Sequence, residues 1–204
     1  MFITFEGPEG CGKSTHSRLL KTYLEEKGMS VVQTREPGGT PLGVKLRALL
    51  LEKSGPIDQL AEACLFFADR AEHVNSVIRP AINSGNFVIC DRYLDSTLAY
   101  QIGGRGLPED LIRFMNMEAS YGIRPDLTIL LDIPPSVGLE RAKSKGGADR
   151  FEREGMEFHD RVRAKYLELA AADQSRIKLF PFENLPIETV QAKIRSIIDE
   201  KLGN

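Results

Sequence analysis

The residues most clearly able to do chemistry form one glycine-rich run near the N-terminus. This run matches the pattern G-x-x-x-x-G-K-[ST], whose glycines let the backbone turn tightly and point several N–H groups at one phosphate. Its members are Gly7, Pro8, Glu9, Gly10, Cys11, Gly12, Lys13 and Ser14. Lys13 can reach the β- and γ-phosphates of a nucleotide, Ser14 can ligate Mg²⁺, and Thr15 can contact the α-phosphate. The sequence therefore predicts that residues 7–15 bind a nucleoside triphosphate.

The segments on either side of this run are those that a phosphate-binding loop requires. Phe2 to Glu6 is a short apolar run that predicts a strand, and Ser14 to Lys27 reads as a helix that stops at Gly28. The helix would add the positive end of its dipole to the phosphate site. A glycine-rich turn could carry Lys-Ser by chance, but the full motif between a strand and a helix favours phosphate binding.

Glu9 is unusual in this loop, because a carboxylate beside a phosphate is unfavourable unless it has another partner. Two interpretations remain open. Glu9 can be a solvated loop residue, or it can accept a hydrogen bond from a sugar hydroxyl. The second interpretation predicts that a second substrate binds next to the loop.

Charged residues also stand where two further predicted strands end. Arg35 and Glu36 follow the second strand, at the mouth of a tight Pro-Gly-Gly loop, and Asp91 and Arg92 follow the third. Asp91 is placed to hold Mg²⁺ directly or through water. Arg92 can grip a phosphate with its fork of donors. The alternative is an ordinary surface ion pair between Asp91 and Arg92.

A long helix predicted at 58–83 carries an aromatic ring and a guanidinium group on one face. Phe66 lies off the main apolar stripe, and Arg70 follows it four residues later. Stacking on Phe66 and a hydrogen bond from Arg70 would suit a base with an exocyclic oxygen. The alternative is that Phe66 widens the buried stripe and that Arg70 extends along it towards solvent.

The segment after Asp91 and Arg92 carries a second pair of polar side chains at helical spacing. Thr97 and Gln101 are four residues apart, and each offers a hydrogen-bond donor and an acceptor. If the segment is helical, the two can bind an imide edge together. Tyr100, between them, could pack on a sugar ring.

A basic segment at about 141–154 has Gly146 and Gly147 in its middle. A glycine-hinged basic segment between helices is typical of a lid that closes over a triphosphate. Its arginines can neutralise charge that develops on a transferred phosphoryl group. The alternative is a solvated, disordered loop whose cations pair with neighbouring carboxylates.

Strands alternate with helices along the whole chain, which predicts an α/β fold with a parallel sheet covered on both faces. Ligands bind such sheets beyond the carboxyl ends of the strands. Each of the residues above lies at such a strand end or on a helix beside one. At 204 residues the chain fits one domain, 1–204, with the lid as a mobile appendage. The predicted strands are 2–6, 30–35, 87–90, 127–133 and 177–182, and the predicted helices are 14–27, 41–53, 58–83, 108–121, 135–144, 157–171 and 186–202.

Composition excludes several classes of protein. The formal net charge of -2 gives no general attraction to nucleic acid or to anionic membranes, so neither is an expected partner. Three cysteines without metal spacing argue against a disulfide framework and for a reducing cytoplasm. The sequence begins without the pattern of a signal peptide, and it has no apolar run long enough to span a membrane. We therefore expect a cytoplasmic protein.

Together these motifs resemble the thymidylate kinase family of the bacterial type, along the length of the chain. The resemblance rests on an ordered set: Phe5 to Gly10 entering the loop, Arg35 to Gly39, Phe66 with Arg70, and Asp91 to Tyr93 leading to Ala99, Tyr100 and Gln101. It implies a three-layer P-loop NTPase fold with a five-stranded parallel sheet, and a homodimer. It also implies Mg²⁺-dependent transfer of the γ-phosphoryl group of ATP to dTMP, which gives ADP and dTDP for dTTP biosynthesis.

The resemblance further implies roles for residues of the second-substrate site. Phe66 would stack on thymine, Arg70 would reach its exocyclic oxygen, and Thr97 and Gln101 would read the base edge. Arg92, with Arg35 and Arg70 nearby, would hold the dTMP phosphate, and Glu36 would also belong to the dTMP site. Glu9 would meet the 3′-hydroxyl group, and Tyr100 would disfavour ribonucleotides by crowding the 2′ position.

The sequence departs from one subgroup of the family, which carries a catalytic arginine where this chain has Gly10. The positive charge must then come from elsewhere, and Arg141 and Arg150 of the lid are the first candidates to join Lys13 and Arg92 as catalytic residues. Two other functions stay open: a kinase for dCMP, dGMP or AMP, and a regulatory NTPase switch. The absence of a clear guanine-recognition motif speaks against the switch.

Overall fold

Five parallel strands form the centre of the molecule in this computed structural model, which describes residues 1–52, 55–144, 149–183 and 185–203. The strand order is β2-β3-β1-β4-β5. The three-layer α/β architecture and the parallel sheet predicted from the sequence are confirmed. The strands are β1 (Phe2–Glu6), β2 (Val31–Arg35), β3 (Phe87–Asp91), β4 (Leu127–Leu131) and β5 (Ile177–Phe180).

The central position of β1 determines where the site forms. β1 pairs with β3 so that Phe5 is opposite Asp91, and with β4 so that Glu6 is opposite Leu130. β2 pairs with β3 so that Arg35 is also opposite Asp91. The loop after β1 therefore emerges beside the carboxyl ends of β2 and β3, where parallel α/β sheets bind ligands.

Helices cover both faces of this sheet. Nine α-helices are described: α1 (Lys13–Glu26), α2 (Pro41–Leu51), α3 (Gln59–His73), α4 (Arg79–Asn83), α5 (Leu94–Thr97), α6 (Glu109–Ala119), α7 (Pro135–Lys143), α8 (Met156–Ala172) and α9 (Ile187–Leu202). Two π-helical stretches, Val74–Ile78 and Leu98–Gly104, continue α3 into α4 and extend α5. The predicted helix at 58–83 is thus one continuous helical path. None of the described helices has the length and apolar character needed to cross a membrane.

Two apolar layers hold the helices to the sheet. Leu20 and Leu24 of α1 pack with Ile194 and Ile198 of α9 on one face, and all four are completely buried. On the other face, α3, α6 and α8 enclose a larger cluster that contains Tyr100. Burial of these apolar side chains supplies the main driving force for this arrangement. Tyr100 therefore belongs both to the core and to the edge of the site.

Candidate active site

The glycine-rich loop after β1 adopts the tight conformation that its sequence predicts. Gly7, Gly10 and Gly12 all have positive φ, which glycine adopts without a steric penalty. The Nζ group of buried Lys13 donates hydrogen bonds to the carbonyl oxygens of Gly7 at 3.0 Å and Pro8 at 2.9 Å. The ammonium group is thereby held over the loop, beside the N-terminus of α1.

Ser14 and Asp91 supply oxygen ligands of the kind that Mg²⁺ takes. The Ser14 hydroxyl group donates to Asp91 Oδ2 at 2.6 Å, so the two side chains meet at the ends of β1 and β3. Mg²⁺ in nucleotide sites is usually bound by one or two protein oxygens, with phosphates and water completing its shell. Within the described residues, no cluster of three or more His, Cys, Asp or Glu side chains could hold a metal ion by itself. The donor set therefore fits a nucleotide-dependent Mg²⁺ site.

Arg92 lies at the centre of the polar contacts beside the loop. Its Nη1 donates to Gly7 O, Ser96 Oγ and Tyr166 OH, each at 3.1 Å. Its Nη2 donates to Glu9 Oε1 at 2.7 Å and to Tyr100 OH at 3.1 Å. These contacts fix the orientation of the guanidinium group. Arg92 pairs with Glu9 rather than with Asp91, so the alternative of a surface ion pair with Asp91 is not what the structure adopts.

Glu9 has the second partner that a carboxylate in this position needs. It accepts hydrogen bonds from Arg92 and from Tyr100 OH, the latter at 2.8 Å. Burial acts to raise the pKa of Glu9, but the charges of Arg92 and Lys13 and the Tyr100 hydrogen bond outweigh it and lower this pKa to about 2. Glu9 is therefore an anion at neutral pH and is bound within the site, unlike a solvated loop residue.

Two cavities adjoin Arg92. The aromatic cavity is lined by Phe66, Arg70, Thr97, Tyr100, Gln101 and Phe151, among others. The loop cavity is lined by Gly10, Gly12, Lys13, Ser14, Thr15, Arg35, Asp91, Ala142 and Glu152. Four residues line both cavities: Glu9, Glu36, Arg47 and Arg92. The two cavities therefore meet at a boundary that contains two guanidinium groups.

The aromatic cavity combines aromatic walls with a few polar groups, as sites for small organic ligands do. Phe66 and Tyr100 form part of its wall, as the sequence predicts, and Phe151 lies between them. The centroid of the Phe151 ring is 5.9 Å from each of the other two rings. The sequence does not predict Phe151 as a site residue, because it lies in the basic segment, where no periodicity marks it.

Arg70 is held rigidly in the wall of the same cavity. Only 2% of its side chain is exposed, so it does not extend to solvent. Its Nε and Nη2 donate to Glu36 Oε2 at 2.9 and 2.8 Å, and Nη1 donates to Thr97 Oγ1 at 2.8 Å and to Asn116 Oδ1. Glu36 is thus a partner of Arg70 and does not stand alone at the mouth of a loop.

Arg47 of α2 is a site residue that sequence reasoning missed. It lines both cavities, and its Nη1 donates to Pro37 O at 3.0 Å. Burial, followed by the charges of Arg35 and Arg92, lowers its pKa. Three guanidinium groups therefore converge near the boundary between the cavities, where they would favour a bound anion.

The sequence model of the family described as thymidylate kinase matches residues 5–194, a range that contains every cavity residue named above. The chain belongs to the thymidylate kinase family. It is 49% identical over 200 residues to a thymidylate kinase from Solidesulfovibrio magneticus, covering 94% of this chain and 96% of that protein. It is 50% identical over 202 residues to one from a Synechococcus species, covering 99% and 96%. The crystal structure of the Ehrlichia chaffeensis thymidylate kinase is similar, with a TM-score of 0.80, 35% identity and 98% of both chains covered.

The predicted lid of this member of the thymidylate kinase family lies partly outside the described residues, which omit 145–148 and so both glycines of the predicted hinge. Arg141, at the end of α7, lies over the Phe182 ring at 5.5 Å. Arg150 donates from Nε to Leu50 O at 2.9 Å and pairs through Nη1 with Glu62 Oε2 at 2.6 Å. Arg150 is thus bound by α2 and α3, and the catalytic role of both arginines stays a prediction.

Gly10, where one subgroup of the thymidylate kinase family has an arginine, packs directly against α7. A Cβ atom built on Gly10 would lie 2.0 Å from Gly138 O, and one built on Gly138 would lie 2.2 Å from Glu9 O. Such distances are far inside van der Waals contact, so neither position has room for a side chain. The close approach explains why the loop itself does not supply the extra arginine here.

We expect Gly138→Ala to raise the KM for ATP at least about tenfold, because the added methyl group must displace the phosphate-binding loop. Steady-state kinetics with varied ATP would measure the change. Gly155→Ala is the matched control, since nothing lies within 4 Å of a Cβ atom there. An unchanged KM in the Gly138 variant would show that the loop and α7 separate easily.

Glu6 is a buried carboxyl group directly behind Arg92. Its Oε1 accepts from Tyr93 N at 2.7 Å, and its Oε2 accepts from Ser96 Oγ at 2.5 Å. Burial, and then the charge of Asp95, raises the pKa of Glu6 from 4.5 to about 7. The native state therefore retains this proton over a range of pH in which the unfolded chain loses it.

This raised pKa predicts a loss of stability with increasing pH. Below about pH 4.5 Glu6 is protonated in both states, and its contribution to stability is complete. The contribution falls as the pH rises, and the loss is complete above about pH 7, amounting to on the order of 3 kcal/mol. Urea unfolding at pH 5 and pH 8 should show a drop in the wild type that Glu6→Gln largely removes. Equal drops in both proteins would contradict the raised pKa.

Proposed function

We propose that this chain transfers the γ-phosphoryl group of ATP to dTMP and gives ADP and dTDP. Membership of the thymidylate kinase family supports the reaction. The observation that carries it for this chain is the position of Arg92, which lines both the loop cavity and the aromatic cavity. Two substrates bound in these cavities would present their phosphates to each other beside this guanidinium group.

The proposed mechanism is mainly one of alignment. The acceptor phosphate of dTMP is already an anion at neutral pH, so no strong general base is needed. Two anions must instead be brought together against their repulsion. Arg92, with Arg35 and Arg47 near it, would offset the charge of the acceptor, and Lys13 would offset that of the donor. Mg²⁺, when bound at Ser14 and Asp91, supplies further positive charge at the phosphates of ATP.

The walls of the aromatic cavity suit the nucleoside part of dTMP. Phe66 offers a ring for stacking, and Arg70, Thr97 and Gln101 offer hydrogen-bonding groups for the edge of the base. Glu9 lies at the boundary between the cavities, and Tyr100 donates a hydrogen bond to it from the aromatic cavity, where the sugar would sit. We assign Glu9 to the 3′-hydroxyl group and Tyr100 to exclusion of a 2′-hydroxyl group.

We further propose that the protein is a homodimer. Four large apolar side chains on or just after α6 are 40–59% exposed and are spaced three or four residues apart: Leu111, Phe114, Met117 and Tyr121. An exposed apolar stripe of this kind is typical of an interaction surface. Sedimentation velocity would decide between a monomer and a dimer.

We also propose that the protein is cytoplasmic. All three of its cysteines are free thiols. Free thiols are usual in a reducing compartment and uncommon in secreted proteins of this size. Fluorescence microscopy of a tagged copy in the source cell would test the proposal.

A coupled ADP-release assay tests the proposed reaction. It would contain ATP and Mg²⁺ and would offer dTMP, dUMP, dCMP, dGMP and AMP in parallel. We expect ADP formation that depends on the acceptor and is fastest with dTMP. Preference for another nucleotide would keep the kinase chemistry and change the substrate, whereas ADP release without any acceptor would favour the NTPase switch.

A further inference from the structure

Glu62 of α3 is a buried carboxylate with an unusual set of partners behind the aromatic cavity. None of its side chain is exposed. It accepts from Arg105 Nε at 3.0 Å and Nη2 at 2.9 Å, and it pairs with Arg150 Nη1 at 2.6 Å. Its fourth contact is with Gln101, whose Nε2 lies 3.2 Å from Oε1. The carboxylate thus joins two guanidinium groups to one side chain of the cavity wall.

These partners determine which way the Gln101 amide points. A carboxylate between two guanidinium groups accepts hydrogen bonds and has no proton to donate. The Gln101 atom that faces Glu62 must therefore be the nitrogen, because two oxygens in contact would repel each other. The Oε1 atom is left as the free end of the amide, and within the described part of the chain it is buried without a hydrogen-bond partner. A buried acceptor without a partner is costly unless a ligand supplies a donor.

The acceptor lies in the same cavity wall as a group that can only donate. Arg70 and Gln101 both line the cavity, and Thr97 joins them, since it accepts from Arg70 and lies one helical turn before Gln101. A donor beside an acceptor complements an imide edge, which presents a carbonyl oxygen beside an N–H group. Cytosine presents the opposite order, an amino group beside a ring nitrogen with a lone pair. The wall therefore matches thymine or uracil and opposes cytosine.

We propose that Glu62 is a positioning residue for base selectivity, because it holds Gln101 with its acceptor oxygen towards the base. This inference rests on the proposed function, which supplies dTMP as the ligand. It adds that selectivity against cytosine depends on a carboxylate that does not touch the nucleotide. If residue 62 could donate a proton instead, the Gln101 amide could turn over and present its nitrogen to the base.

The test compares Glu62→Gln, which keeps the size of the side chain but adds N–H donors, with the wild type. Dissociation constants for dTMP, dUMP and dCMP would be measured by isothermal titration calorimetry. We expect the ratio of Kd for dCMP to Kd for dTMP to fall at least about tenfold, since one buried hydrogen bond of the correct pattern is lost. dUMP should follow dTMP, because it has the same imide edge.

Two further variants distinguish an effect on base selectivity from an effect of losing the ion pairs of Glu62. Arg105→Gln removes a partner of Glu62 but keeps the hydrogen bond from Gln101 to the Glu62 carboxylate. Its ratio of Kd for dCMP to Kd for dTMP should therefore stay within about threefold of the wild type. The double variant Glu62→Gln with Arg105→Gln removes one charge of each sign, so the net charge of the buried cluster is unchanged. It replaces Glu62→Gln in the test if that single variant does not fold. The double variant should show the same loss of selectivity as Glu62→Gln.

The outcomes distinguish this inference from the proposed function. If wild-type protein neither binds nor phosphorylates dTMP, the proposed function fails, and the assignment of Glu62 fails with it. If the wild type prefers dTMP but the folded Glu62 variants bind all three nucleotides more weakly by the same factor, Glu62 is only structural and the inference is overturned. A raised Kd for dTMP with an unchanged Kd for dUMP would also overturn it. The two nucleotides share the imide edge and differ only in the methyl group of the base, so the effect would then lie at that methyl group.

Discussion

Replacement of Arg92 by alanine is expected to lower kcat/KM for dTMP by about 1000-fold, while the Kd for ATP changes by less than about threefold. Arg92 lies at the boundary between the aromatic and loop cavities, and its guanidinium group is oriented by Glu9 and Tyr100. Alanine removes the charge that would align the two phosphates and leaves Lys13 on the carbonyl oxygens of the loop. Steady-state kinetics and calorimetric titration with ATP would measure the two quantities.

The backbone of Arg92 provides a control for this experiment. Its φ of 69° is a left-handed conformation that costs a non-glycine residue about 1 kcal/mol or more. Arg92→Gly removes this strain together with the side chain, so it should be more stable than Arg92→Ala and equally inactive. Recovery of activity in the glycine variant would show that folding, and not the guanidinium group, limits the alanine variant. A comparable loss of ATP affinity in both would contradict the assignment of Arg92 to the acceptor.

Local sequence patterns were sufficient to predict the sheet. Four of the five predicted strands begin at the residues observed, because each is a short, mainly apolar run. The predicted ends of β4 and β5 were two residues too late. β5 stops directly before Pro181, which has no N–H group to continue a ladder. β4 stops at Leu131, three residues before Pro134, and the structure gives no comparable reason for its end.

The candidate site was only partly predictable, because its residues come together by packing that no local spacing records. The glycine-rich loop, Asp91 and Arg92 follow strands directly, so a motif and a topology rule were enough to place them. Arg47 and Phe151 enter the cavities only because α2 and the basic segment pack over them. Glu9 and Arg92 are 83 residues apart in the sequence, so their ion pair could not be derived from either motif alone.

Arg150 shows that a charge pattern in the sequence does not identify the partner of a charged side chain. Its charge and its glycine-rich surroundings predicted a cation that acts on phosphate. The structure places its guanidinium group on Glu62, a residue that the sequence presents only as one carboxylate of a long helix. Charge patterns predict that a basic segment meets an anion, but they do not distinguish a phosphate from a buried carboxylate.

Replacement of Lys13 by methionine is expected to lower kcat at least about 100-fold with little change in the Kd for dTMP. Lys13 donates to two carbonyl oxygens of the loop, and among the described residues no carboxylate lies within ion-pair distance of it. Lys13 therefore has no direct ion-pair partner among the described residues, and its charge is available to the phosphates of ATP. Methionine keeps a flexible chain of similar length but removes the charge.

Lys21→Met is the matched control, because Lys21 lies on the same helix and forms only an exposed pair with Glu25 at 3.6 Å. Exposed pairs contribute little to stability, so this variant should retain wild-type kcat. Single-turnover reactions at saturating ATP and dTMP would separate loss of chemistry from weak binding. If Lys13→Met retained kcat and lost only affinity for ATP, Lys13 would bind the donor equally in the ground and transition states, and the charge that promotes transfer would have to come from Arg92 and the lid.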